Sequence, residues 1–356
     1  MILEKSKLKL ALDSAAVLVR NNSVNNKVLF KASGNNVSLT CGDGVNIGSF
    51  SFENNDEGDV SFVTEYDNLG AALSLRGDIE LSYANGAFQM KEGYSSLRFP
   101  AQDADTFLLD SSFVDESSSR SISLPARSLK SLLEKISYVR KESAQKEMKF
   151  MEGILVVQGG GRLTATASNG AMLMVNSVES QGNEDGFKFL LTGKAIDSLM
   201  LVPDEEEVTL TEDGNALRLK TGSADIYLAG LNVGFPDVSR FFEDKFGSEF
   251  TVSKSKALES LEILSASSNT TLDIGGDGEL LSLSKEDGIS DILDKIQLEE
   301  MTGGSFEFSV DYGRFRSLFQ NMKEGETLSF GYVKGSKKVF FNDEGDMKGI
   351  LMMLTK

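Results

Sequence analysis

The chain has 356 residues, enough for about two or three domains, and its 40% apolar and 25% charged residues exclude an intrinsically disordered protein. It contains no histidine, which excludes Ser-His-Asp and Cys-His catalytic systems and imidazole-dependent metal sites, and its one cysteine, Cys41, cannot form an internal disulfide. The net charge of −18 by itself argues against nucleic-acid binding, because phosphate contacts need basic side chains.

The first part of the chain predicts a helix, a strand, a second helix and a hairpin, in that order. Apolar residues at helical spacing mark the first helix: Leu8, Leu12, Ala15 and Val19. The segment 37–44 alternates apolar and hydroxyl residues and ends in Asp-Gly, which predicts a strand that runs into a tight turn. A strand at Val63-Thr64 leads to a helix over 69–73, and Asn85-Gly86 predicts a hairpin.

The middle part repeats this order. Its first helix is marked by Leu129, Leu132, Leu133 and Ile136. The strand and turn over 163–170 align without gaps with 37–44, and a strand at Leu191-Thr192 leads to a helix over 195–199. Asp213-Gly214 predicts the closing hairpin, and the glycines at 159–161 are interpreted as a hairpin turn because no Lys-Ser/Thr follows them.

The last part repeats it again. Ala257, Leu261 and Leu264 mark a helix, 281–288 is the third aligned strand and turn, and a strand at Ser309-Val310 leads to a helix over 315–318. The aligned strands start at 37, 163 and 281, so their spacings are 126 and 118 residues, which suits a domain copied three times.

Each copy predicts two helices on one face of an antiparallel sheet, which is an α+β arrangement. We expect domains over 1–115, 120–240 and 248–356, with polar linkers at 111–119 and 243–248. Charge is segregated along them: 120–149 has eight basic and three acidic residues, whereas 103–116 has five acids and no base. A locally basic surface is therefore compatible with the acidic total.

Three segments of the chain resemble the bacterial DNA polymerase III beta subunit, the sliding clamp. Residues 235–240, Phe-Pro-Asp-Val-Ser-Arg, resemble the family's Phe/Tyr-Pro-Asp segment at the end of its middle domain. Residues 163–173 resemble its strand with Ala-Thr-Asp-Gly-His-Arg-Leu, and 350–354 resemble its apolar C-terminal tail. The chain departs from the family where Ala171 and Met172 replace His-Arg, Met353 replaces proline and Thr355 replaces a basic residue.

The resemblance implies a DNA clamp fold, in which three repeated domains per chain and a head-to-tail homodimer make a closed six-domain ring. It implies a processivity factor in DNA replication that encircles double-stranded DNA topologically, without sequence specificity, and tethers the replicative polymerase, with no catalysis and no cofactor of its own. Polymerase and clamp loader are expected to bind through short linear motifs. The location is expected to be cytoplasmic, because residues 1–7 lack a signal-peptide pattern and no apolar run reaches the roughly 18 residues that span a bilayer.

The resemblance also implies the functional residues. Candidates for DNA contact are the cations on or beside the proposed helices, with the aromatic residue next to one of them: Arg20, Arg76, Lys149, Phe150, Lys194 and Arg314. Candidates for the pocket that receives partner peptides are Met151, Gly170, Leu173, Pro236, Arg240, Phe241, Met352, Met353 and Leu354. Candidates for the homodimer contact are Phe99, Ile263 and Leu264.

Simpler interpretations stay open for each set. The cations are also consistent with ordinary solvated charges, Phe150 with a core residue, and Met352 to Leu354 with a terminal core strand. The acidic runs at 204–207 and 299–300 lack a converging nucleophile, so a metal or acid–base site is disfavoured. The alternative function is an acidic, repeat-built structural protein that does not bind DNA.

Overall fold

The computed structural model describes residues 1–19, 26–107, 119–141, 144–180, 186–231, 233–242, 245–288, 290–322 and 326–355. Most of the linker predicted at 111–119 lies outside these ranges, as do Arg20 and the first two residues of the linker at 243–248.

The described helices and strands alternate along the whole chain. The α-helices are α1 Lys5–Val19, α2 Tyr66–Gly70, α3 Ala126–Ser137, α4 Gly193–Leu201, α5 Lys254–Leu264 and α6 Tyr312–Gln320. The first strands are β1 Ile2–Leu3, β2 Lys27–Ser33, β3 Asn36–Gly42, β4 Ile47–Glu53, β5 Val60–Glu65, β6 Ile79–Ala84, β7 Ala87–Glu92, β8 Ser95–Pro100, β9 Arg120–Pro125, β10 Ile154–Gly159, β11 Arg162–Ser168, β12 Met172–Glu179 and β13 Lys188–Leu191. The later strands are β14 Glu207–Glu212, β15 Ala216–Lys220, β16 Ala224–Ala229, β17 Ser248–Ser253, β18 Thr271–Asp277, β19 Leu280–Glu286, β20 Asp291–Gln297, β21 Glu300–Gly303, β22 Phe306–Asp311, β23 Thr327–Tyr332, β24 Lys338–Asn342 and β25 Lys348–Met352. Short 3-10 helices cover Ala71–Ser74, Ala104–Thr106, Lys146–Glu152 and Ser239–Phe242.

The chain divides into two compact units, and the middle repeat is shared between them. The N-terminal unit contains Met1–Lys130, Gln158–Gly160 and Gln181–Asn232, and the C-terminal unit contains Ser131–Val157, Gly161–Ser180 and Val233–Lys356. The predicted boundaries 1–115, 120–240 and 248–356 stay a prediction.

The N-terminal unit is built on an antiparallel sheet in the order β5-β2-β3-β4-β16-β15-β14-β9. The β4–β16 pair, with Ile47 opposite Tyr227, joins the first repeat to part of the middle one. Helices α1 and α4 contact each other, and α1 also contacts β3 and β4. A second sheet has the order β1-β6-β7-β8.

The C-terminal unit is built in the same way. Its antiparallel strands follow the order β11-β12-β25-β24-β23-β17-β21, and a second sheet has the order β20-β19-β18-β22. The β12–β25 pair, with Leu173 opposite Ile350, joins the rest of the middle repeat to the last one. Helices α5 and α6 pack together, and stacked rings fill the core, for example Phe250 and Phe330 with centroids 5.1 Å apart.

The predicted helices form because their apolar faces are buried. All the residues that marked α1, α3 and α5 in the sequence are at most 3% exposed. The second helices also form, but in the first repeat α2 ends at Gly70 and a 3-10 helix continues to Ser74. The α+β prediction is confirmed, and within the described residues no helix has the length and apolar character that crossing a membrane requires.

The three aligned turns share one backbone conformation. Gly44, Gly170 and Gly288 have φ of +88°, +87° and +78°, in the left-handed region that favours glycine. In each turn the preceding Asp or Asn accepts backbone N–H bonds through Oδ1, as Asn169 does from Ala171 at 3.0 Å and Met172 at 2.8 Å. The repeat predicted from the sequence is therefore confirmed in the turn geometry.

Candidate functional site

A cavity of about 380 Å³ opens on the C-terminal unit, within the size range of ligand-binding pockets. Parts of the chain that are far apart in sequence meet at it: the 3-10 helices before β10 and after Phe235, the β11–β12 turn, the start of β24 and the end of β25. Its lining residues are Phe150, Ser168, Gly170, Ala171, Met172, Leu173, Phe235, Pro236, Val238, Phe241, Ser336, Lys337, Lys338, Ile350 and Met352.

Core packing holds the apolar side of the cavity in place. Leu173, Phe340 and Ile350 form a buried cluster, and Val238 and Phe242 pack against it. The rings of Phe150 and Phe235 meet edge to face with centroids 5.2 Å apart. The cavity can therefore bury apolar groups of a partner without rearranging the sheet beneath it.

Five of the predicted pocket residues line this cavity: Gly170, Leu173, Pro236, Phe241 and Met352. Met151 is 6% exposed and lies under the turn, where a Cβ on Gly170 would be 3.3 Å from its Cε. Phe150, which the sequence assigned to DNA, also lines the cavity.

Three predicted pocket residues lie beside the cavity and not in its lining. The Arg240 guanidinium is 5.9 Å from the ring centroid of Phe241. The backbone N–H groups of Met353 and Leu354 donate to the carbonyls of Lys337 and Ser309, at 2.9 and 2.8 Å. Ile350 and Leu351 are buried in β25, but Met352 and Leu354 are 39% and 37% exposed, so Met352 to Leu354 do not form a buried core strand.

The sequence did not point to the residues before β24. Ser336, Lys337 and Lys338 belong to no motif, and the pairing of β24 with β25 brings them to the cavity. Lys338 Nζ donates to the Phe241 carbonyl at 2.9 Å and lies 4.7 Å from the ring centroid of Phe340.

The candidate DNA-contacting cations differ in their surroundings. Lys194 forms an ion pair with Asp43, and Lys149 forms one with Glu152 at 2.8 Å. Arg76 is exposed in a bend, and Arg314 is half-buried in the first turn of α6. Arg20 lies outside the described residues.

The Asp43–Lys194 pair changes the ionisation of the carboxyl group. Burial by itself would raise the pKa of Asp43, but hydrogen bonds from Lys194 Nζ, Asn46 and the backbone N–H of Val45 lower it to about 2. Asp43 is therefore charged throughout the neutral range.

Basic side chains of the stretch 120–149 also form ion pairs within the chain. Lys130 binds Asp204 at 2.7 Å, Lys135 binds Asp343 at 2.5 Å, and Arg120 lies 3.8 Å from Glu212. With Lys149, at least four of the eight cations in this stretch have carboxylate partners among the described residues. The positive field of the segment is therefore weaker than the sequence indicates.

The candidate homodimer residues also differ in exposure. Phe99 lies on β8, at an edge of its sheet, with its ring centroid 5.7 Å from that of Phe88. Ile263 is 54% exposed, whereas Leu264 is fully buried in its own unit. Of the two α5 residues, only Ile263 has a side chain available for a contact between chains.

The part of the chain that the structure describes holds no group of three or more His, Cys, Asp or Glu side chains placed to bind a metal ion.

Over all of its residues the chain has the fold of bacterial sliding clamps, the beta subunits of DNA polymerase III, as the sequence predicted. A DnaN sliding clamp from Pseudomonas aeruginosa, in a structure bound to griselimycin, is similar with a TM-score of 0.91 at 17% identity, over 100% of this chain and 99% of that one. The beta subunit from Streptococcus pyogenes has a TM-score of 0.89 at 13% identity, over the same shares of the two chains. The beta subunit from Thermotoga maritima has a TM-score of 0.87 at 17% identity, again over 100% and 99%. No protein-family model and no curated protein sequence matches the chain.

Proposed function

We propose that the protein is a DNA sliding clamp, a processivity factor that encircles duplex DNA and tethers the replicative polymerase without catalysis of its own. The observation that carries this proposal is the full-length likeness to bacterial polymerase III beta subunits, with TM-scores of 0.87 to 0.91. A likeness over all three repeats supports a shared assembly better than a likeness confined to one domain would.

The assembly that suits this fold is a head-to-tail homodimer. Two chains of three domains each would make a six-domain ring, and a closed ring is the ordinary result of a heterologous contact whose rotation closes. The ring would work in the cytoplasm, where the DNA is, and would hold DNA topologically through contacts to phosphate that carry no sequence information.

The cavity of the C-terminal unit is proposed to receive short linear segments of the polymerase and of the clamp loader. Its lining is largely apolar and includes Met172 and Met352, whose flexible thioethers adapt to more than one peptide. Phe150 is assigned to this pocket. Arg76 and Arg314 remain the candidates for DNA contact. Lys149 and Lys194 would have to leave their carboxylate partners, Glu152 and Asp43, before they could bind a DNA phosphate.

Retention on circular DNA tests the proposal. The protein is loaded onto a nicked circular plasmid with a bacterial clamp loader and ATP, in a reaction where the same loader loads its own clamp. Gel filtration should recover the protein with the circle, and linearising the plasmid should release it. Equal retention on the circular and the linear plasmid would instead favour the acidic structural protein. So would no retention of the protein in a reaction where the loader's own clamp is retained on the circle.

A further inference from the structure

A second cavity, of about 220 Å³, lies between α1 and α4 in the N-terminal unit, and we call it the α1–α4 cleft. Its walls are mostly apolar, and two of its lining residues, Leu10 and Leu201, are 67% and 44% exposed. Pockets for whole small molecules start at about 300 Å³, so this cleft suits one long side chain better than a complete ligand.

One carboxylate in the α1–α4 cleft has no counter-ion. Glu206 accepts hydrogen bonds from the Ser223 hydroxyl at 2.6 Å and from the Ser223 backbone N–H at 3.2 Å. Burial by itself would raise the pKa of Glu206, but these bonds and one from Thr221 lower it, so the carboxylate is charged at neutral pH. No Lys or Arg in the described part of the chain forms an ion pair with it. Lys7, which also lines the cleft, binds the Glu4 carboxylate at 2.9 Å instead.

A hydroxyl group in the same cleft is also without a partner. Ser198 on α4 is 5% exposed, and its Oγ forms no hydrogen bond with any described residue. Most buried hydroxyl groups in proteins are hydrogen-bonded, because leaving one unpaired costs free energy. The cleft therefore offers a free hydroxyl oxygen as well as a carboxylate without a counter-ion.

The equivalent position in the C-terminal unit holds a lysine. The buried faces of α1 and α3 match at a constant spacing of 121 residues: Leu8 with Leu129, Leu12 with Leu133 and Ala15 with Ile136. At this spacing Ser14, which lines the α1–α4 cleft, corresponds to Lys135. Ala11 corresponds to Leu132, which is fully buried, so the smaller alanine leaves room in the cleft.

Lys135 fills its position with ion pairs. Its Nζ lies 2.5 Å from Asp343 Oδ2 and 3.5 Å from Glu326 Oε1. Glu326 corresponds to Glu206, because each directly precedes the strand after the second helix of its repeat. The carbonyl of each also accepts the N–H of the first residue of the next repeat's first helix, at 3.1 and 2.8 Å. The C-terminal unit therefore binds an ammonium group on an aliphatic stem at this place, whereas the N-terminal unit keeps the glutamate without the lysine.

We propose that the α1–α4 cleft binds a lysine side chain of a partner protein, with Glu206 as the counter-ion of its ammonium group. The aliphatic stem would lie against Leu10 and Leu201, and the Ser198 hydroxyl would accept one of the three ammonium N–H bonds. A chain with a net charge of −18 attracts basic partners, which favours lysine over an uncharged side chain. The site is separate from the cavity of the C-terminal unit, and the inference does not depend on a closed ring.

Matched probes test this inference. N-acetyl-lysine methylamide and N-acetyl-norleucine methylamide differ only in the ammonium group. Each is titrated into the full-length protein while NMR spectra of its leucine methyl groups are recorded, and the signals of Leu10 and Leu201 should shift. At low ionic strength we expect the lysine probe to bind about two- to fivefold more tightly, the range of a partly exposed ion pair. The difference should shrink at about 0.5 M salt, where screening is stronger.

Variants of the cleft assign the effect to its residues. Ser14→Lys places a lysine on α1 where Lys135 stands on α3, so it should occupy the cleft and abolish the shifts caused by the lysine probe. Glu206→Gln should make the two probes bind equally. Glu205→Gln, which removes the exposed neighbouring carboxylate outside the lining, is the matched control and should keep the wild-type ratio.

Other outcomes would overturn the inference in distinguishable ways. Equal binding of the two probes by the wild type, or a preference that survives Glu206→Gln, would reject Glu206 as the counter-ion. Tighter binding of n-butylammonium than of the lysine probe would assign the cleft to a small free amine and not to a partner protein. Methyl shifts confined to the C-terminal unit would place the lysine probe elsewhere. None of these results bears on the ring, which retention on circular DNA tests separately.

Discussion

At the scale of single residues, the Asp43–Lys194 pair gives one candidate DNA-contacting lysine a carboxylate partner within the chain. The partners are 151 residues apart in sequence and belong to different repeats within the N-terminal unit. The Asp43 side chain is only 10% exposed, so solvent screens the pair weakly.

Replacing Asp43 by Asn should destabilise the protein at neutral pH. The folded pKa of about 2, against an ordinary 3.8, corresponds to at most about 2.5 kcal/mol of unfolding free energy. The turn itself should tolerate Asn, because Asn169 builds the same turn in the middle repeat. A double-mutant cycle with Lys194→Met, followed by urea unfolding, separates the ion pair from the turn.

The pH dependence of this cost has a definite sign. A carboxyl group whose pKa is lowered by folding stabilises the protein above its unfolded pKa and loses that contribution as the pH falls through its folded pKa. The difference between wild type and Asp43→Asn should therefore be complete at pH 6 to 7 and fade between about pH 4 and 2. A cost that is the same at pH 7 and pH 2 would show that the charge is not its origin.

At the scale of elements, the sequence determined the helices and turns more fully than the site. Helical spacing predicted the buried faces of α1, α3 and α5, and Asp-Gly or Asn-Gly predicted the aligned turns, because both signals lie within a few neighbouring residues. The cavity wall at Lys337 and Lys338 could not be predicted in this way. It depends on β24 pairing with β25 and on β25 pairing with β12, and the second of these pairings joins segments more than a hundred residues apart.

The β11–β12 turn, which contains Gly170, lines part of the cavity. Gly170→Ala should cost about 1 to 2 kcal/mol for the left-handed backbone, and the new Cβ would crowd Met151 at 3.3 Å. We therefore expect both lower stability in urea and weaker peptide binding.

Substitutions at two other glycines separate the cost of the left-handed backbone from the crowding of Met151. Gly34 has φ of +58° with no atom near a new Cβ, so Gly34→Ala should show the backbone cost alone. Gly159 has neither a positive φ nor an atom near a new Cβ, so Gly159→Ala should leave the stability almost unchanged. If Gly170→Ala binds a clamp-loader peptide as well as Gly34→Ala does, Met151 does not shape the cavity.

At the scale of the whole molecule, the proposed ring depends on residues that a single chain leaves uncovered. Ile263 is 54% exposed on α5, although the rest of that apolar face is buried. Changing an exposed side chain costs little folding free energy, so the assembly can be tested without unfolding the chain.

Ile263→Asp should weaken the homodimer and leave the thermal stability of the chain nearly unchanged, because the new charge would be buried without a partner only when two chains meet. Sedimentation velocity over a range of concentrations should show a larger monomer fraction, and retention on circular DNA should fall with it.

The matched control is Leu10→Asp on α1, which is 67% exposed and not among the candidate interface residues. An equal loss of dimer in both variants would indicate a general effect of added negative charge on an acidic protein. A dimer that survives Ile263→Asp would place the contact between chains elsewhere, while retention on the circle would still report whether a ring forms.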